Sequence, residues 1–218
     1  AQESPFSEDM PPKPEDIYGI AKTAMEEATK VLSKVHGFEY VIVRPHNVYG
    51  PRQNLSDPYR NVIGIFINCL LSNKSFYIYG DGNQKRAFTY VDDFNPYFVA
   101  CGFAKNVIGE IINLGPSEEH TINELAQIVL TIFFPDSVPS HLKPKYVALR
   151  PQEVIEAYCT NDKAKRLLGY ETKTELREGV TKMIAWAREL GHQKFKYLEE
   201  GLELEGSDVP ETWKQKLI

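Results

Sequence analysis

Residues 16–44 read DIYGIAKTAMEEATKVLSKVHGFEYVIVR, and on this stretch the fold class turns. Its first part carries apolar side chains at Ile17, Ile20, Ala21, Ala24, Ala28, Val31, Leu32 and Val35. Spacings of three and four gather them on one side of an α-helix. Asp16 is placed to cap the start and Gly37 to close the end. Glu39 to Arg44 is a short β-branched run, the pattern of a buried strand. A helix leading directly into such a strand predicts a parallel α/β layer.

The alternation continues outward. Pro45 to Asp57 reads as a loop, Val62 to Leu71 as an apolar helix, and Ser75 to Tyr79 as a strand stopped by Gly80-Asp81-Gly82. Phe88 to Val91 predicts a strand, with Asp92 capping a helix that reaches Lys105 and Asp93 supporting its first turn. Glu110 to Leu114 is a further strand. Thr121-Ile122-Asn123-Glu124 has the form of a capping box, so a helix runs from there to about Phe133. Tyr146 to Leu149 predicts a strand, and Asn161 to Leu168 and Glu175 to Leu190 predict helices. Residues 1–14 hold four prolines and read as a loop. The charged stretch from His192 shows no period that places it.

Composition narrows the function. The 218 residues carry a net charge of −5, which disfavours a nucleic-acid or membrane surface because an acidic chain repels phosphate. Two or three arginines would still serve a small phosphorylated ligand. No apolar run approaches the roughly 20 residues needed to span a bilayer, and the polar start to Asp9 does not read as a signal peptide. Cys69, Cys101 and Cys159 are widely spaced, which predicts reduced, buried thiols and a cytoplasmic protein. The histidines and cysteines form no metal-ligand pattern.

Tyr18 and Lys22 stand four residues apart, on one face of the predicted helix. A phenol of pKa about 10 is a poor base at neutral pH. A nearby cation stabilises the phenolate and suits it to taking a proton from a hydroxyl. The spacing is common, and its bland alternative is an exposed pair. One expected partner motif is missing: no Gly-rich dinucleotide-binding turn occurs in the chain.

Further motifs accompany the pair in a fixed order: PFSEDMPPKP at 5–14, RPHNVYGPRQ at 44–53, IYGDGNQKRAFTYVDD at 78–93, NLG at 113–115, RPQE at 150–153 and DKAKRLLGY at 162–170. With YGIAK at 18–22 they resemble the extended short-chain dehydrogenase/reductases, the NAD-dependent epimerase/dehydratase family, and within it the UDP-glucose 4-epimerase-like proteins. The resemblance reaches from the start of the chain to about Leu190. It implies that the chain corresponds to the C-terminal part of such an enzyme, with the Gly-rich turn and an assisting Ser or Thr lying upstream of Ala1.

The same resemblance implies the site. Tyr18 and Lys22 are the catalytic pair and also touch NAD, which accepts hydride from C4 of a hexose and returns it to the other face. Pro45 and His46 line the nicotinamide pocket through the backbone; the alternative for His46 is a structural loop histidine. Asn47 faces the nucleotide sugar, and Asn61 and Val62 close over its diphosphate. Tyr77 and Tyr79 hold the base, unless one of them turns into the core, as is expected first of Phe76 or Phe88. Arg86 and Arg150 bind the diphosphate, since a guanidinium fork suits phosphate oxygens, and Glu153 accepts from the ribose hydroxyls. Ala87 stands where relatives often have aspartate, and Gln152 where glycine is usual.

The implied fold is α/β, a partial Rossmann-type parallel sheet layer interleaved with a smaller α/β substrate-binding domain. Residues 1–49 belong to the NAD-binding layer, 50–190 mainly to the nucleotide-sugar domain, and 191–218 form a charged tail. The expected activity is a UDP-hexose 4-epimerase, acting as a homodimer. The alternatives are a dehydratase or decarboxylase on the same scaffold, or a non-catalytic substrate-binding fragment. Without a Gly-rich turn at a helix N-terminus, most pyrophosphate contacts are missing. Residues 1–218 alone are therefore expected to bind NAD very weakly and not to turn over. Micromolar NAD affinity of this chain in a calorimeter would contradict that.

Overall fold

The computed structural model describes residues 4–14, 17–150, 153–197 and 209–218. Asp16, the expected helix cap, and Gln152 lie outside the described residues. In chain order the elements are α1 (Ile17–His36), β1 (Ile42–Pro45), β2 (Val48–Tyr49), α2 (Val62–Leu71), β3 (Tyr77–Tyr79), β4 (Lys85–Arg86) and β5 (Thr89–Tyr90). There follow α3 (Val91–Cys101), β6 (Ile111–Leu114), β7 (His120–Thr121), α4 (Ile122–Phe133), β8 (Lys145–Val147), β9 (Glu156–Ala157), α5 (Asp162–Leu168), α6 (Leu176–Leu190) and α7 (Glu211–Lys214). This is the expected α/β chain with parallel strands. It divides into two units, one of residues 1–48, 87–119 and 156–173, the other of residues 49–86, 120–155 and 174–218.

In the first unit β1 runs parallel to β6, with Val43 opposite Ile112 and Arg44 opposite Asn113. Ile112 and Leu114 are completely buried, and Phe94, Cys101, Val107, Ala164 and Tyr170 join them in one core. Removing this apolar surface from water is what holds α3 and α5 to the strands. Asn113 ties in the Pro-rich N-terminal segment: its backbone N–H donates to the Glu8 carboxylate at 2.9 Å and its side-chain amide to the Phe6 carbonyl at 3.1 Å. Helix α1 is held differently, since none of its residues is buried. The Arg44 guanidinium on β1 donates twice to the Glu26 carboxylate on α1, at 2.7 and 2.6 Å. Gly37 closes α1 as expected, with φ +73° and its N–H on Ser33 O at 2.8 Å.

Helix α3 departs from the sequence expectation. It begins at Val91 with Tyr90 at the cap position, so Asp92 is not the cap. Asp92 and Asp93 both sit in the first turn, and the Asp93 carboxylate accepts the Lys173 backbone N–H at 3.0 Å. The helix ends at Cys101, and Lys105 starts a separate 3-10 turn. Strands β3, β5 and β8 are likewise shorter than their apolar runs, because pairing rather than composition sets strand ends.

The second unit packs α2, α4 and α6 against one another. Helix α2 is apolar almost all round and buries Ile63, Phe66, Ile67, Cys69 and Leu70, as a helix without a polar face must. Phe66 stacks on Phe76 with ring centres 3.9 Å apart. β3 runs parallel to β8, and β4 antiparallel to β7. The Thr121 capping box forms as expected at the start of α4. Between β3 and β4 the turn at Gly82, with φ +77°, presses on Asn123; a Cβ there would lie 2.1 Å from its Oδ1. Only glycine fits both that backbone and that approach.

Asn68 is the polar exception on α2, with 1 % of its surface exposed. Its amide donates to Leu55 O and Gln193 O and accepts from Gln193 N, at 2.9, 2.8 and 2.8 Å. This satisfies a buried amide and fastens the segment after α6. Asn68→Leu removes the bonds and leaves backbone groups unpaired, so a cost of about 2–4 kcal/mol is expected. A lowered urea midpoint at unchanged slope would record it.

All three cysteines are free and buried, and burial pushes the Cys69 and Cys159 thiols up to about 12. Among the described residues no helix is long and apolar enough to cross a membrane, and no group of three or more His, Cys, Asp or Glu side chains could hold a metal.

Candidate functional site

Each unit gathers its own share of the sequence-predicted residues. In the first, Tyr18, Lys22, Pro45 and His46 line one cavity of about 700 Å³, together with Glu26 and Asn113. Tyr18 and Lys22 sit one helical turn apart, with the ammonium 5.3 Å from the centre of the phenol ring. The phenol is 63 % exposed, so a ligand can reach it. Pro45 and His46 enter from the end of β1. His46 spends its backbone inside the protein, donating to Leu114 O at 3.1 Å and accepting from the Thr89 hydroxyl. Burial, aided by the Arg44 charge, lowers its pKa to about 4. The ring is therefore neutral at pH 7. Asn47 has a left-handed backbone, φ +40°, and its amide nitrogen donates to Ala87 O at 2.7 Å. Ala87 is completely buried, and its carbonyl is what fixes Asn47.

In the second unit two cations share one carboxylate. Glu153, with 3 % of its side chain exposed, accepts from Arg86 Nη2 at 2.6 Å on one oxygen and from Arg150 Nε at 2.5 Å on the other. Arg86 also donates to Lys85 O at 2.7 Å. Burial lowers the Arg86 pKa, yet an arginine stays charged at neutral pH. Two positive charges and one negative leave this cluster cationic, which suits a phosphate. The Arg150 guanidinium lies 4.8 Å over the Tyr79 ring, and the Lys145 ammonium 5.7 Å over Tyr77. Strand alternation puts Tyr77 and Tyr79 on one half-buried face, while Phe76 and Ile78 turn into the core. Phe88 is buried too. Asn61, left-handed at φ +66°, and Val62 open α2; among the described residues they share no hydrogen bond or ion pair with the arginine cluster.

Sequence reading missed two parts of this arrangement. Arg44 and Glu26 both lie inside the stretch 16–44, but nothing local marks the residues as partners. The contact of Tyr79 with the C-terminal segment, described below, has no periodic signal at all.

The NAD-dependent epimerase/dehydratase family matches residues 1–115, more than half of the chain. The chain belongs to this family. A relative from Methanocaldococcus jannaschii, provisionally named a UDP-glucose 4-epimerase, is 35 % identical over 184 residues, covering 84 % of this chain and 57 % of the relative. The UDP-N-acetyl-alpha-D-glucosaminuronate decarboxylase of Bacillus cytotoxicus is 33 % identical, over 79 % of this chain and 53 % of its own length. Among solved structures, the UDP-glucuronic acid 4-epimerase of Bacillus cereus in complex with UDP-glucuronic acid and NAD matches with TM-score 0.76 and 32 % identity, covering 87 % of this chain and 58 % of that one. The chain thus spans little more than half the length of the curated relatives it matches.

NAD is the cofactor of this family. The first-unit cavity fits the nicotinamide-ribose end of it. Tyr18 and Lys22 offer a hydroxyl and an ammonium, and a neutral His46 does not repel the positive ring of the oxidised cofactor. The pyrophosphate end has no counterpart among these residues, since no Gly-rich turn occurs in the sequence.

Proposed function

We propose that this chain serves a UDP-hexose 4-epimerase, with the redox chemistry on the first unit and the nucleotide on the second. The observation that carries the reading is the Tyr18–Lys22 pair on the wall of a cavity large enough for a nicotinamide and a hexose edge. NAD, when bound, supplies a hydride acceptor that can return the hydride to either face of C4. Tyr18, as the phenolate, takes the proton of the C4 hydroxyl and gives it back, and Lys22 stabilises the phenolate before the first transfer and after the second. Pro45 and His46 border the nicotinamide. Asn47 meets the sugar, and Asn61 and Val62 the diphosphate. Arg86 and Arg150 turn their guanidinium groups to phosphate oxygens, Glu153 accepts from ribose hydroxyls, and Tyr77 and Tyr79 flank the base.

The test is to incubate the complete protein with NAD and a panel of UDP-hexoses and follow C4 stereochemistry by NMR. Inversion at C4 supports the reading. A 4-keto-6-deoxy product or released carbon dioxide replaces it with the dehydratase or decarboxylase reading, for which the relationship to the Bacillus cytotoxicus enzyme speaks.

The reading extends to assembly. Ile17, Met25, Val31 and Val35 on α1 are each 60 % or more exposed, an apolar surface that water disfavours. A two-fold partner presenting the same helix would cover it. The complete protein is expected to elute as a homodimer, and light scattering that finds only monomer at tens of micromolar contradicts this.

A further inference from the structure

The C-terminal residues from Val209 onward return to the strand that carries Tyr79. Thr212, on α7, is 1 % exposed, and its hydroxyl is hydrogen-bonded to the Tyr79 hydroxyl. The next residue, Trp213, stands edge-on to Tyr59 with ring centres 5.2 Å apart, and Tyr59 meets Tyr197 in the same way at 6.1 Å. Tyr197 in turn donates to the Ile218 carbonyl at 2.5 Å, beneath the Lys216 ammonium. A short helix has little stability of its own, so these contacts are what seat it. They land on two segments that the proposed nucleotide site uses: Tyr59 just ahead of Asn61, and Tyr79 itself. The family resemblance ends near Leu190, so this clasp lies beyond the shared motifs.

The contacts form a relay. Thr212 holds the tip of Tyr79, the Tyr79 ring carries the Arg150 guanidinium, and Arg150 shares Glu153 with Arg86. A phenol held at its oxygen keeps its tip and long axis in one place, and a base stacking on it then loses less freedom on binding. We infer that α7 is a C-terminal clasp that sets the nucleobase end of the nucleotide site, with Thr212 as a positioning residue acting through Tyr79. The inference rests on the nucleotide reading above.

The experiment measures calorimetric affinity of the complete protein for UDP, dTDP, GDP and ADP, and for inorganic pyrophosphate as a probe without a base. Thr212→Val keeps shape and removes the hydroxyl. It is expected to weaken the preferred nucleotide about 3–10-fold, the range of one hydrogen bond, and to leave pyrophosphate affinity alone. Thr212→Ser restores the hydroxyl and the affinity. Tyr79→Phe gives the same loss, and the double variant Thr212→Val with Tyr79→Phe adds nothing to it. Wild-type nucleotide affinity in Thr212→Val, an equal loss for pyrophosphate, or no rescue by serine overturns the clasp. Preference for GDP or ADP sinks the UDP reading while the clasp is still judged on that nucleotide. If none of the four binds, both ideas fall.

Discussion

Tyr18→Phe in the complete protein is expected to lower kcat by about 10²-fold or more, the scale of positioned acid–base catalysis, with little change in nucleotide-sugar affinity. The substitution deletes one oxygen and keeps the ring. The Lys22 ammonium still lies over it and the cavity wall keeps its shape. What is lost is the oxygen that, in the proposed reaction, takes the C4 hydroxyl proton and returns it to the sugar. Steady-state rates set beside a calorimetric affinity separate the two effects. Wild-type turnover in this variant would mean that Tyr18 and Lys22 are an ordinary exposed pair and that the redox centre lies elsewhere.

Arg150→Ala is expected to do the reverse. A hydrogen bond to a charged partner contributes about 1.5–3 kcal/mol, so nucleotide-sugar affinity should fall by about 10–150-fold while the rate of bound substrate changes little. The structure explains why folding survives. Glu153 keeps its bond to Arg86, so no buried carboxylate is left alone, and the cluster merely loses its excess positive charge. Thermal melting should therefore shift much less than affinity does. Unchanged UDP-sugar binding in Arg150→Ala would move the diphosphate away from this cluster and require another map of the second unit.

What the sequence made legible is local. The helix of Tyr18 and Lys22, its closure at Gly37 and the capping box of Thr121 and Glu124 all depend on residues within a turn or so of each other. The order of short motifs marks the candidate residues of both groups in the sequence itself. Contacts between distant residues were not legible. Asp93 finds Lys173, which lies 80 positions away, and α3 starts one residue ahead of the expected cap. The stretch after His192 has no period because its place is set by Asn68, Tyr59 and Tyr79, all far upstream. Glu153 reads in sequence as a hydroxyl acceptor; its neutralisation of two arginines at once is visible only in three dimensions.

The grip of Arg44 on Glu26 has a consequence for how this chain can change over time. Tyr18, Lys22 and Glu26 follow one another at intervals of four, so they form a single slowly winding line along α1. Holding the last of them fixes the angle at which the helix is rolled about its own axis, and with it the direction in which the phenol points. That angle is indexed by a polar peg, because α1 buries no residue that could set it by packing. The outward side of the helix is thereby released from the task of aiming Tyr18. Substitutions there leave the Arg44–Glu26 bonds, and with them the direction of the Tyr18 phenol, in place.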